Sequence, residues 1–292
     1  GEHKIEVGGK MIRRDQKMDY ETNSDNPAYI FENEVFNYLA SAPELNCFLS
    51  SRIQFLEKSK NSTLLVYRNS KSEIEGVTYI GGNLIPAISS RAALLSLVDY
   101  LRSKQHKFSS IVGESKTVFE LWKLIAHLYS EPRAIRQSQP LLSLRGGSKI
   151  SGNPLVHPAT LSDLDEVVEV GIAMFTAEVG EVPDYVDYRS RSIELIGAGR
   201  TLISRDPDTR KVIFKSDIGA IGAGAYQIHG VWVDPAYRGK GLGSAGVATL
   251  VEYGNRFAPI ASLYVNDFNH AARASYHKVG FEKVAELATI FF

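Results

Sequence analysis

The sequence predicts a mixed α/β (α+β) fold with two domains in tandem. A single hydrophobic core rarely serves more than about 250–300 residues, and this chain has 292 residues. Both halves show the same approximate order of elements, two helices and then strands, followed by a helix, a strand and a helix. Between the halves, residues 145–152 read RGGSKISG, a composition typical of a linker. We therefore predict a first domain over residues 28–147 and a second over residues 148–292.

The elements of the first half follow from its apolar spacing. Residues 1–27 are polar and charged without a sustained period, so we expect a flexible arm. Apolar residues at helical spacing predict two helices over residues 34–56, separated at Pro43. Two β-rich runs joined by a polar turn predict a hairpin of residues 63–68 and 74–80. The other predicted elements are a helix (91–103), a strand (109–112), a helix (116–128) and a strand (141–144).

The second half begins with a helix that carries apolar residues from Leu164 to Phe175, with Thr160 or Ser162 as its cap. A second helix follows the tyrosine-rich stretch at Tyr185. The remaining predicted elements are strands at 199–204, 211–218 and 226–233, a helix (242–253), a strand (260–265), a helix (271–279) and a closing strand (281–292).

The composition excludes several classes of partner. Lys plus Arg and Asp plus Glu both number 33, so the chain lacks the positive field expected of a nucleic-acid-binding protein. Its single cysteine, Cys47, cannot form an intramolecular disulfide, which favours a reducing cytoplasm. No apolar run reaches the roughly 18 residues of a membrane span, so we expect no membrane partner. The sequence also suggests no metal site.

The most informative segment joins a strand to a helix through a basic, glycine-rich turn, VWVDPAYRGKGLG at residues 231–243. Three glycines at alternate positions from Gly239 let backbone N–H groups converge on an anion. Arg238, Lys240 and the positive end of the helix add charge. This pattern predicts a pyrophosphate site. The alternative is a turn whose glycines only permit close packing.

A dinucleotide site is a competing interpretation, because residues 241–246 spell GxGxxG and Asp267 lies downstream. In that motif the first glycine follows its strand almost at once, whereas residues 234–240 intervene here. Too few residues follow Asp267 for the remaining parallel strands. A P-loop is excluded because GxxxxGK[ST] is absent.

The turn resembles the signature Arg/Gln-x-x-Gly-x-Gly/Ala of the GNAT acetyltransferase family, with Arg238, Gly241 and Gly243 at the defined positions. The resemblance continues through residues 263–276 and 280–281. The whole chain is also similar to a group of actinobacterial acetyltransferases with an extra N-terminal domain of unknown function. The cues are Arg133, Arg136, Gln139, Pro140, Leu141, Leu142 and residues 214–219.

This resemblance implies two tandem GNAT-like domains, each a mixed, mainly antiparallel twisted sheet flanked by helices. The first domain would be degenerate, because it lacks the Arg-x-x-Gly-x-Gly turn. The resemblance also implies acetyl-CoA as the cofactor, an amine as the acceptor substrate and direct attack of the amine on the thioester. The protein would be a monomer or homodimer. The cofactor contacts implied are Val231, Trp232, Val233, Arg238, Gly239, Lys240, Gly241, Leu242, Gly243, Ser244, Asn266 and Asn269. In the alternative interpretation, Asn266 and Asn269 cap a helix or form a turn.

Tyr276 matches the family's general acid, which protonates the departing thiolate. The general base is less clearly defined, because the strand that precedes the glycine-rich turn carries no carboxylate. His229 is the candidate, since its ordinary pKa is near 6.5 and strand alternation places it on the face of Val231 and Val233. The weaker candidates are Glu178, Glu181, Asp217 and a chain of water molecules. The missing carboxylate also leaves open a noncatalytic acetyl-CoA-binding sensor.

Overall fold

The computed structural model describes residues 3–7, 10–14, 27–54 and 62–292. The chain divides into two compact units. The first comprises Gly1–Leu141, Gly222–Gly224 and Val284–Phe292, and the second comprises Leu142–Ile221 and Ala225–Lys283. The domain limits therefore differ from those predicted at 147/148. One continuous strand, Ala134–Arg145, runs through the change of unit, so the linker-like composition of residues 145–152 does not mark the boundary.

The described residues of the first unit form six strands, four helices and parts of further strands. Its described elements are β1 (His3–Val7), β2 (Lys10–Arg14), α1 (Pro27–Ala40), α2 (Pro43–Ile53), β3 (Thr63–Arg68), β4 (Ile74–Ile80), β5 (Asn83–Ile88), α3 (Arg91–Ser103), β6 (Ser110–Glu114), α4 (Ser115–Ile125), the start of β7 (Ala134–Arg145) and most of β13 (Glu282–Phe291). The strand order is β2-β1-β3-β4-β5-β6-β13-β7.

The arm predicted for residues 1–27 is wrong where the structure describes it. β1 and β2 pair antiparallel, and β1 adds in parallel to β3. The alternation of Ile5 and Val7 with polar residues is a strand pattern too short to be distinguished from a polar arm by sequence. Residues 15–26 lie outside the described residues, as do residues 55 and 56, where the second predicted helix ended.

The second unit contains the end of β7, β8 (His157–Pro158), α5 (Leu164–Val179), α6 (Tyr185–Gly197), β9 (Thr201–Arg205), β10 (Val212–Gly222), β11 (Ala225–Val233), α7 (Leu242–Gly254), β12 (Ile260–Tyr264), α8 (His270–Val279) and the start of β13. Its strand order is β7-β12-β11-β10-β9-β8. None of the helices in the described part of the chain is long and apolar enough to cross a membrane.

Two separate cores cover the two faces of this second sheet. On one face, α7 and α8 pack around Phe214, Tyr226 and Val251. The approach is close, because a Cβ on Gly246 of α7 would lie 2.4 Å from the Phe214 ring. On the other face, α5 and α6 pack in a smaller core that includes Val168.

Charged residues fix the start of α5 on the sheet. The Arg205 guanidinium donates to Asp163 at 2.7 Å and to Glu166 at 2.6 Å. Thr160 and Asp163 form a capping box at the preceding turn, with the Thr160 N–H donating to Asp163 Oδ2 at 2.8 Å. These contacts hold α5 over the strands that carry the candidate site.

The structure confirms the predicted mixed, mainly antiparallel fold in two tandem domains. Most predicted elements occur within a few residues of their expected limits. β5 was missed, because Pro86 and the glycines before it argue against a strand by composition. With β5 included, α1 to α4 with β3 to β6, and α5 to α8 with β9 to β12, have the same order.

Candidate functional site

The central feature of the second unit is a divergence of two parallel strands. β11 pairs with β12 at Ala225↔Ile260, Tyr226↔Ala261 and Gln227↔Ser262. Residues 228–233 of β11 continue beyond the last of these pairs. The β11 edge facing β12 is therefore open to an added, extended ligand, in the manner of strand addition.

A bulge at Gly230 changes which face of β11 each side chain occupies. Gly230 has φ +62°, a conformation that favours glycine. Beyond it, Val231 and Val233 pack against the core under α7 and α8, whereas Trp232 packs on the α5 and α6 side. Before it, His229 lines a cavity under α5 and α6. The prediction that His229 shares a face with Val231 and Val233 is therefore wrong, because the bulge breaks the alternation.

We expect Gly230→Ala to destabilise the protein by about 1–3 kcal/mol, through its positive φ and its surroundings. A Cβ at this position would lie 2.9 Å from Met174 Cε. Gly147→Ala is the control, because a Cβ there meets nothing within 4 Å. Denaturant midpoints of the two variants check this. Equal denaturant midpoints for the two variants would show that the bulge does not require glycine at position 230.

The glycine-rich turn at the end of β11 exposes backbone donors. Gly239 and Gly241 have φ +78° and +82°, and a Cβ on either would meet nothing within 4 Å. The first N–H bonded in this turn of α7 is that of Ala245, which donates to Gly241 O at 3.0 Å. The N–H groups of residues 242–244 precede it at the positive end of the helix. The residues therefore fit a pyrophosphate.

Several hydrogen bonds fix the segment between the strand and this turn. Asp234 is 4% exposed; its Oδ1 accepts from Ala236 N and its Oδ2 contacts Lys211 Nζ, both at 2.9 Å. The Tyr237 hydroxyl donates to Asp206 at 2.5 Å. This bond, with backbone N–H donors, lowers the pKa of Asp206 to about 2. The segment is therefore anchored by Asp206 and Lys211, which both lie in the loop between β9 and β10.

The two basic residues of the turn are both exposed, and each contacts the turn itself. Arg238 Nε donates to Val233 O at 3.0 Å. Lys240 Nζ lies 5.5 Å from the centre of the Tyr237 ring. Their charges therefore lie close to Val233 and Tyr237, in the segment that precedes α7.

The first turn of α7 also contacts α8. Ser244 Oγ and Ser275 Oγ are 2.6 Å apart, and a Cβ on Gly243 would lie 3.6 Å from Val233 Cγ2. Tyr276 follows on α8 and is 9% exposed. Burial, with a contribution from the Glu178 carboxylate, raises the pKa of Tyr276 to about 12. In the described part of the chain its hydroxyl has no hydrogen-bond partner.

The two predicted asparagines lie between β12 and α8. Asn269 is the N-cap of α8, and its side chain accepts from Ala272 N at 3.2 Å. Its backbone N–H donates to Asn266 O at 3.0 Å. The structure thus gives Asn269 the capping role that the sequence left as an alternative.

A second feature is a cavity of about 200 Å³ between the helices α5 and α6 and the sheet. Its lining comprises Val167, Met174, Tyr188, Arg191, Ser192, Leu195, Thr201, Lys215, Asp217, Gly219, His229 and Gly230. Because Gly230 lines it, the cavity borders the bulge of β11. His229 sits against Gly219, where a Cβ would lie 1.8 Å from Nδ1, and its Nε2 is 2.6 Å from Gln227 Oε1.

A buried ion pair occupies the floor of this cavity. Lys215 Nζ lies 2.7 Å from Asp217 Oδ2, and Thr201 Oγ1 donates to Asp217 Oδ1 at 2.6 Å. Burial lowers the pKa of Lys215, but Asp217 and the nearby Tyr188 outweigh it, so the net pKa is raised and the ammonium stays charged. The sequence analysis did not single out Lys215 and Tyr188. Two charged residues at alternate positions of an apolar strand were the available signal.

Matches to known families follow the two halves of the chain. Residues 64–167 match a domain of unknown function, DUF4081. Residues 186–281 match the acetyltransferase (GNAT) family. A curated relative, the N-alpha-acetyltransferase RimI of Mycobacterium tuberculosis, is 37% identical over 59 residues, which are 20% of this chain and 36% of RimI. The alignment thus spans about a third of that relative.

Solved structures show the same fold over most of the chain. A GNAT acetyltransferase from Sphaerobacter thermophilus superposes with a TM-score of 0.59 and 13% identity, covering 88% of this chain and 90% of its own. A tandem GNAT protein from the clavulanic acid biosynthesis pathway superposes with a TM-score of 0.55 and 12% identity, covering 88% of this chain and 93% of its own.

The second unit, with its diverging strands, bulge and glycine-rich turn, has an α/β fold that these solved GNAT structures share. The family match assigns a GNAT acetyltransferase domain to the second half of the chain, at residues 186–281.

Proposed function

We propose that the second unit transfers an acetyl group from acetyl-CoA to an amine by direct attack on the thioester. The observation that carries this proposal is that the open edge of β11 leads, through residues 234–237, into the glycine-rich turn at residues 238–244. An extended pantetheine arm beside residues 231–233 would thus bring its pyrophosphate to that turn.

Each part of the cleft has a task in this proposal. The N–H groups of residues 242–244 and the side chains of Arg238 and Lys240 bind the pyrophosphate. The backbone of residues 231–233 pairs with the pantetheine arm. An N–H of this strand, that of Val233, polarises the thioester oxygen and stabilises the negative charge that develops on it.

Two proton transfers complete the reaction. The amine nitrogen forms a bond to the acetyl carbon and the carbon–sulfur bond breaks. Tyr276 donates its hydroxyl proton to the departing thiolate, and its raised pKa keeps the hydroxyl protonated at neutral pH. His229, which borders the bulge from the cavity side, takes the proton of the amine.

Calorimetric titration with acetyl-CoA, followed by measurement of amine-dependent release of coenzyme A, tests the proposal. We expect binding to the wild-type protein and release that requires an amine. A well-folded protein that binds acetyl-CoA without any amine-dependent release would contradict the proposed catalysis. A protein that does not bind acetyl-CoA would contradict the proposed cleft as well.

A further inference from the structure

The glycine-rich turn at residues 238–244 begins with four exposed residues. A Cβ on Gly239 or Gly241 would meet nothing within 4 Å. Glycine allows the positive φ angles that the turn adopts, but it also gives the backbone the greatest freedom. Backbone N–H groups bind an anion well only when their directions are already fixed. Contacts from neighbouring residues must therefore hold the turn in one conformation.

Tyr237, the residue before the turn, contacts two different parts of the second unit. Its hydroxyl donates to Asp206 Oδ2 at 2.5 Å. Its ring centre lies 5.5 Å from Lys240 Nζ, within the range of a cation–π contact. Its backbone N–H donates to Asp234 O at 2.8 Å. Tyr237 thus connects a basic side chain of the turn with the loop between β9 and β10.

Asp206 presents a carboxylate whose orientation is fixed by its own loop. Its Oδ1 accepts from the backbone N–H groups of Asp208 at 2.8 Å and Thr209 at 2.9 Å. The Asp206 N–H donates to Lys211 O, and the Asp206 carbonyl accepts from Arg210 N, both at 2.9 Å. Oδ2 is therefore held in place as the acceptor for Tyr237.

This loop is in turn tied to the first turn of α5. Arg205 Nη1 donates to Arg210 O and to Glu166 Oε1, both at 2.6 Å. Glu166 Oε2 accepts from Val212 N at 2.8 Å. Because both ends of the loop contact Glu166, the loop is a firm support for the Tyr237 hydroxyl.

We propose that Tyr237 and Asp206 are positioning residues for acetyl-CoA. Through their hydrogen bond they hold the glycine-rich turn in the conformation in which its N–H groups converge on the pyrophosphate. This inference rests on the function proposed above, because it concerns the affinity of the same turn.

The charge of Asp206 distinguishes this role from a direct electrostatic one. Its pKa of about 2 keeps the carboxylate ionised at neutral pH, and like charges repel. If only its charge acted on the pyrophosphate, removal of the carboxylate would strengthen binding. A positioning role predicts the opposite sign, because removal of the carboxylate also removes the anchor of Tyr237.

Calorimetric titration with acetyl-CoA tests the inference on Tyr237→Phe, Asp206→Ala and the double variant. We expect each single variant to weaken acetyl-CoA binding about 3- to 10-fold, because the turn loses an anchoring hydrogen bond. The double variant should bind no more weakly than Asp206→Ala, since both changes remove the same bond. In assays of amine-dependent coenzyme A release, the loss should appear in KM for acetyl-CoA and not in kcat.

Tyr253→Phe is the matched control, because it also removes one hydroxyl that bonds to the protein. That hydroxyl donates to Gly199 O. Tyr253 lies in the last turn of α7, at the end opposite the glycine-rich turn. We expect this variant to keep the wild-type affinity for acetyl-CoA even where its denaturant midpoint falls.

The outcomes separate this inference from the proposed function. Wild-type acetyl-CoA affinity in a folded Tyr237→Phe would overturn the inference, as would tighter binding by Asp206→Ala or effects that add in the double variant. An equal loss of affinity in Tyr253→Phe would show a general loss of structure, which also contradicts it. If the wild-type protein fails to bind acetyl-CoA, the proposed function itself is wrong.

Discussion

Gly241→Asp is expected to weaken acetyl-CoA binding by at least about 100-fold. Gly241 is the N-cap of α7, and a Cβ there points into the open space above the turn. A carboxylate at this position would repel the pyrophosphate and compete for the N–H groups of residues 242–244. Loss of two charge-assisted hydrogen bonds, at about 1.5–3 kcal/mol each, accounts for this magnitude. Calorimetric titration measures the affinity.

Gly241→Asn is the matched control for that experiment. Asn has nearly the same shape as Asp and tolerates the left-handed backbone that Gly241 adopts, with φ +82°. The difference in affinity between the two variants therefore reports the charge. Similar affinities in Asp and Asn variants that unfold at the same temperature would show that the turn does not bind an anion.

Tyr276→Phe is expected to reduce kcat by about 100-fold to 10,000-fold while acetyl-CoA binding is retained, because only the proton donor is removed. The ring itself contributes to the core and stacks edge-on with Phe281, with centroids 6.3 Å apart, and Phe keeps both contacts. Steady-state kinetics with calorimetry separates the two effects. An unchanged kcat would remove Tyr276 from the mechanism.

The pH dependence gives an independent check of this assignment. Because burial raises the pKa of Tyr276 to about 12, the hydroxyl stays protonated when the pH passes the ordinary tyrosine value of about 10. The donor form is lost only as the pH approaches the raised value. We therefore expect no decline of kcat between about pH 9 and 10.5 from this group. A decline centred near pH 10 that is absent in Tyr276→Phe would contradict the raised pKa.

Local sequence signals sufficed for most of the elements and for the glycine-rich turn between β11 and α7. The hairpin of β3 and β4 and the helix α3 have the predicted limits, because each has clear periodicity and a polar turn or a cap at its ends, such as Ser90 before α3. The turn was recognisable because its glycines and basic residues are contiguous in the chain. Such features depend on neighbours within about one turn or strand.

Features that depend on which face of a strand or helix a side chain occupies were harder to predict from the sequence. Gly230 in a strand is a signal for a bulge, but the sequence did not show that the bulge moves His229 to the side of α5 and α6. The capping role of Asn269 was open for a similar reason, since a cap and a ligand contact use the same residue type. The cavity was missed because its lining comes from five elements distant in sequence.

The sequence by itself determined the two-domain α/β organisation, the glycine-rich turn and the resemblance to the family, because these depend on periodicity and on contiguous residues. Only the tertiary structure decided where the units divide and what lies next to the reacting atoms. The divergence of β11 from β12, the buried Lys215–Asp217 pair and the Tyr188 hydroxyl near it result from packing of helices on a sheet. Contacts between residues far apart in the chain create such arrangements, and no local pattern specifies them.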